Sequence, residues 1–187
     1  MPAKTDQPGS QPVFSAVQAP LIADVTTLQC SNNSGELSSE HTEFAPGLFL
    51  NADPGLELSG QWRSPPGRFL ELEAQTAGAG DWVGLHVALA LPDLSNLSHF
   101  GFLCRIAAPE THVLRTCLRS GLADGGFIDC FFDKHILATD RPISHMDALY
   151  LDACPELPLT APWCELVLFL PCQPFQISLQ HLHIFAF

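Results

Sequence analysis

The chain has 187 residues, enough for one domain with a sizeable core and short for two. Apolar residues make up 47% and charged residues only 15%, against the roughly 25% usual in soluble domains, which suits a packed sandwich and not a disordered chain. Twenty acids against eight bases leave a formal net charge of −12, which argues against a nucleic acid or an anionic membrane as partner, because both need a cationic footprint.

In chain order, residues 1–12, "MPAKTDQPGSQP", are polar and rich in Pro and Gln, and read as a flexible tail with no apolar stretch of the secretory kind. Residues 13–187 are expected to form a single domain. Turn signals then recur about every ten residues, the rhythm of an all-β sandwich or barrel. Candidate strands fall near 13–18, 25–30, 36–43, 46–51, 56–60, 68–75, 81–91, 99–107, 111–119, 126–133, 147–152, 163–170 and 175–187. Sixteen prolines leave few windows for a helix; the weak candidate "HMDALYLDACPEL" is cut short by Pro155. No apolar run approaches the roughly 20 residues of a membrane helix.

Seven cysteines, an odd number in a chain without an export signal, point to reduced thiols and a cytoplasmic setting. No C-x-x-C pair occurs, so these thiols read as small core residues. Clean alternation marks several strands. In "RFLELEAQ", Leu70, Leu72 and Ala74 oppose Phe69, Glu71, Glu73 and Gln75. In "DWVGLHVALAL", Val83, Leu85, Val87 and Leu89 oppose Trp82, Gly84, His86 and Ala88. "GFLCRIAA" sets Arg105 against Phe102, Cys104 and Ile106.

The stretch "HVLRTCLRSGLADGGFIDCFFDKHI" carries the main functional signal. Val113, Arg115, Cys117 and Arg119 share one face of its first strand; Phe127, Asp129, Phe131 and Asp133 share one face of its second. The intervening "SGLADGG" supplies a turn with three glycines, so a hairpin would set arginines across from aspartates. If neighbouring strands join it, Arg105, Arg115, Arg119 and Asp129 form a polar band, which Glu71, Glu73, Trp82 and His86 extend. Such a band reads either as a solvated, ion-paired face or as a recognition face. Arginines and carboxylates hydrogen-bond hydroxyls in pairs, and an aromatic ring (Trp62, Trp82 and Trp163 are the candidates) stacks on a sugar's C–H face.

Other chemistry is thinly represented. His181 and His183 share a strand face, but a His-x-His pair needs a third ligand to hold a metal. There is no Gly-x-Ser-x-Gly elbow, glycine-rich phosphate loop or His-Glu-x-x-His. Glu71 and Glu73 share a face and could do acid–base work on a glycoside, though alternating acids on a strand more often simply face solvent.

Through "FLELEAQTAGAGDWVGLHVAL", "LSHFGFLCRIAA", the hairpin, "WCELVLFLP" and "FQISLQHLHIFAF", residues 45–187 resemble the jelly-roll sandwiches of the galactose-binding-like and carbohydrate-binding-module superfamily. The resemblance implies two antiparallel sheets, a saccharide site on the concave face or in the loops, and often a structural calcium, for which it assigns no ligands here. The expectation is therefore an all-β, two-sheet antiparallel sandwich acting as a non-catalytic carbohydrate-binding module. The competing expectation is a protein-interaction or assembly domain without a small-molecule ligand.

Overall fold

The computed structural model describes residue 28, residues 32–91 and residues 93–187. The tail 1–12 and the candidate strand 13–18 lie outside the described residues, as does 25–30 apart from Leu28. Thirteen strands are present among the described residues: β1 (Ser34–Leu37), β2 (His41–Ala45), β3 (Leu48–Ala52), β4 (Ser59–Arg63), β5 (Leu70–Gln75), β6 (Val83–Leu89), β7 (His99–Ala107), β8 (His112–Gly121), β9 (Phe127–Phe131), β10 (Ile136–Ala138), β11 (Ile143–Tyr150), β12 (Cys164–Leu170) and β13 (Phe175–Ala186). One sheet runs β1-β4-β5-β13-β7-β11; the other runs β10-β8-β12-β6-β3-β2, with β9 also on β8. Every pairing between these strands is antiparallel. Chain-neighbouring strands often change sheet, as β5 to β8 do at each step, and the result is an all-β jelly-roll sandwich.

The alternation read from the sequence decides what lies between the sheets. Leu70, Leu72 and Ala74 of β5 and Val83, Leu85 and Val87 of β6 all belong to the core, each at most 4% exposed. Phe100, Phe102, Cys104 and Ile106 fill the inner face of β7. The candidate strand 36–43 divides because Ser38 Oγ accepts from the Glu40 and His41 amides, both at 3.3 Å, while Thr42 Oγ1 accepts from the Ser38 amide at 2.8 Å. That serine turn delivers β1 to one sheet and β2 to the other. The hairpin loop closes with Leu122 N donating to Gly126 O at 2.8 Å, and only Gly125, at φ 92°, takes the left-handed region. Gly60 (φ 142°) permits a close approach: a Cβ there would lie 2.0 Å from the Glu73 carbonyl oxygen, so glycine lets β4 run tight against β5.

Two expectations change. The weak helical candidate is β11 followed by one 3-10 turn, Leu151–Ala153. His145 and Asp147 stand opposite Cys104 and Phe102 and point inward with them, which gives the strand a polar inner face that hides its period. The cysteines also differ. Cys104 and Cys164 are free and lie in the core, as expected; Cys117 is free and buried, but on the outer strand face that it shares with Arg115 and Arg119; Cys130 and Cys154 form a disulfide. Cys130 lies on β9 at the open margin of the sandwich, where the turn after β11 brings Cys154 alongside. Burial pushes the Cys104 thiol up to about 12.

The inward histidine gives a pH dependence. Burial holds His145 below the usual histidine range, outweighing the nearby Asp147 carboxylate, with Lys134 acting in the same direction as burial. Its Nε2 is buried with no hydrogen-bond partner. A depressed folded value means that the neutral ring's contribution is present above the unfolded value of about 6.5 and is lost as pH falls below it. Thermal melts should therefore drop from pH 7 towards pH 5, and His145→Gln should flatten that part of the slope. An unchanged slope in the variant would remove His145 as the cause.

Candidate functional site

The two outer faces of the sandwich differ in chemistry. On the seven-stranded sheet the hairpin register sets Arg119 opposite Asp129. Arg119 donates from Nε to Asp129 Oδ1 at 2.6 Å and from Nη2 to Oδ2 at 2.7 Å, with the side chains 15% and 17% exposed. Its guanidinium also lies 4.0 Å from the centre of the Phe127 ring. Arg115 has no carboxylate opposite it, because β9 stops at Phe131 and Asp133 falls beyond the strand; its guanidinium instead covers the Phe131 ring at 4.0 Å. Further across, His86 Nδ1 donates to Glu165 Oε2 at 2.8 Å and its ring stacks on Phe49 at 4.8 Å.

The structure thus brings Arg115, Arg119, Asp129 and His86 onto one face, where they are largely engaged with one another or with neighbouring rings. Arg119→Ala should lower stability by about 1.5–3 kcal/mol, since it deletes two charge-assisted bonds and leaves Asp129 half-buried and unpaired. A variant that melts like the parent would show the pair to be dispensable.

The single polar band does not form. Arg105, Glu71 and Glu73 lie on the outer face of the six-stranded sheet, because β5 and β7 flank β13 there. Trp82 is exposed just before β6 begins, and Trp163 is likewise exposed. Trp62 is 8% exposed and meets Phe44 edge-on in the core.

The six-stranded face carries a groove of about 840 Å³. Register builds its floor as two rows across β1, β4, β5 and β13. The first row is Glu36, Gln61, Glu73 and Gln176. The second is Ser34, Arg63, Glu71 and Ser178. Three strand spacings make each row about 14 Å long. Loops carrying Pro109, Asp140 and Pro142 contribute to the wall.

Within the second row Arg63 Nε donates to Glu71 Oε2 at 2.5 Å and Arg68 Nη1 donates to Glu71 Oε1. Burial pushes the Glu71 carboxyl up, but bonds and charge from Arg68 and Arg63 outweigh it and hold the group low. Ser178 Oγ is buried with no hydrogen-bond partner. Arg105 donates to Gln180 Oε1 at 3.1 Å and steadies that side chain at the groove's margin. No side-chain hydrogen bond or ion pair joins Glu36, Gln61, Glu73 or Gln176 to another described residue. This leaves a row of planar carboxylate and carboxamide groups with both acceptors and donors free.

Sequence reasoning found Glu71 and Glu73 but missed Gln61 and Gln176. The signal was present in the alternation of "SGQWR" and "FQISLQ", where each Gln lies between inward residues. His181 and His183 sit exposed on β13. Among the described residues no group of three or more His, Cys, Asp or Glu could hold a metal ion, and no helix is long and apolar enough to cross a membrane.

No protein-family model and no curated protein sequence matches the chain. Several solved structures are similar to it. The CBM22-1 xylan-binding domain of Xyn10C from Paenibacillus barcinonensis has a TM-score of 0.47 and 10% identity, over 83% of this chain and 95% of that one. A structure described as "CBM4 structure and function" scores 0.46 at 7% identity, over 85% and 91%. The family 11 carbohydrate-binding module of the cellulosomal cellulase Lic26A-Cel5E of Clostridium thermocellum scores 0.46 at 13% identity, over 83% and 88%.

Proposed function

We propose that this chain is a non-catalytic saccharide-binding module whose ligand lies along the groove of the six-stranded sheet. The observation that carries the reading is the row Glu36, Gln61, Glu73 and Gln176, aligned by strand register on the groove floor and without partners of its own. Planar carboxylates and carboxamides hydrogen-bond vicinal hydroxyls in pairs, and a row some 14 Å long suits a short stretch of glycan chain better than a single ring. A catalytic carboxylic acid needs its proton held at neutral pH by a raised pKa. Glu71 is held low by two arginines, the opposite condition.

The test is a glycan array probed with the wild-type protein and with a Gln61→Ala/Glu73→Ala variant. Binding by the wild type that the variant loses supports the reading. An array on which the wild type binds no saccharide sinks it.

A further inference from the structure

We propose that the Cys130–Cys154 disulfide is a redox-sensitive latch that pins β9 against the opposite sheet, and that its reduction uncovers the Cys117 thiol. β9 is bonded along one edge only, to β8, whose same margin also receives β10 further along. None of its five residues is fully buried, and Phe127 and Phe131 are exposed. Its other ties are the Arg119–Asp129 pair, a hydrogen bond between Asp129 and the Cys117 thiol, the two arginine–ring contacts, the Phe131–Phe169 stack and the disulfide.

Cys154 caps the 3-10 turn that follows β11, an edge strand of the six-stranded sheet. The bond therefore joins the two sheets covalently at the open margin of the sandwich. A cleft of about 510 Å³ surrounds it, lined by Cys130 and Cys154 together with Ile128, Phe131, Leu149 and Leu157, so a reductant can approach the sulfurs. Cys117 stands on β8 directly opposite Phe131 and is 0% exposed. β9 shields it.

The chemistry balances with a dithiol as the reductant. A thiolate of the dithiol attacks one sulfur of the Cys130–Cys154 bond, and the other leaves as a thiolate that takes up a proton. The second thiol of the reductant then displaces the protein from the mixed disulfide. The dithiol ends as a cyclic disulfide, and Cys130 and Cys154 end as two thiols. Without the bond β9 is left to its single ladder and its few side-chain contacts, and local opening becomes easier than global unfolding.

Timed alkylation read by mass spectrometry tests this on the full chain, before and after mild dithiol treatment. Before treatment Cys130 and Cys154 should not label, and Cys117 should label slowly. After it both should label, and the Cys117 rate should rise about tenfold or more while Cys104, deep between the sheets, stays protected. A Cys130→Ser/Cys154→Ser variant should show the fast Cys117 rate without reductant. If that variant does not fold, the two wild-type arms still decide. Labelling of Cys130 before reduction, a Cys117 rate that stays with that of Cys104, or a parallel rise at Cys104 would each overturn the latch.

Discussion

Phe102→Ala should lower stability by about 3–5 kcal/mol, the range for emptying a buried aromatic site. Phe102 is 0% exposed at the centre of β7, between β13 and β11, and meets Phe132 edge-on at 5.0 Å. Both flanking strands bear on it, so the cavity has little room to collapse. The loss is a large share of the roughly 5–15 kcal/mol that holds a typical domain together. At this chain length it corresponds to a fall in melting temperature of about 6–20 °C. Phe102→Leu should cost less because part of the volume remains. Thermal or urea denaturation of the two variants checks the order, and a Phe102→Ala melt within a degree of the parent would mean that the packing between the sheets is misassigned.

The second large effect falls on binding instead of stability. Gln61→Ala/Glu73→Ala removes two neighbouring members of the groove's free row, both on exposed positions. Each should contribute about 1–2 kcal/mol through hydrogen bonds to ligand hydroxyls, so together they should weaken binding by about 30- to 1,000-fold. Neither side chain contacts the core, so the melt should move by no more than about 0.5 kcal/mol per site. Isothermal titration beside a thermal melt separates the two quantities. A variant that loses stability and affinity together would make these residues structural.

Much of the fold was legible because alternation is a local property. β7 spans His99–Ala107 as its sequence indicates, the inward residues of β5 and β6 are those its period selects, and Arg119 meets Asp129 across the hairpin. Sheet membership was not legible. Alternation tells which side chains share a side of their own strand, and it is silent on which strand comes next. Arg105 and Arg115 sit on consecutive strands yet face opposite sides of the molecule, because the chain changes sheet between β7 and β8. The groove escaped for the same reason: its rows join β4 and β5 to β13, whose partners stand about a hundred residues away in the chain. β10 was missed because three residues after "FDKH" carry too little pattern to stand out. The disulfide was missed because spacing cannot pair cysteines that only a turn beyond β11 brings together.

Saccharide binding is expected on the six-stranded face. It is tested most directly by following side-chain resonances by NMR while titrating the tightest-binding oligosaccharide from the array. The Gln61 and Gln176 carboxamide signals should shift saturably with the added sugar, while the Arg119 Nε–H signal stays in place. Shifts confined to Arg119, His86 and their neighbours on the seven-stranded face, with both carboxamides silent, would contradict it.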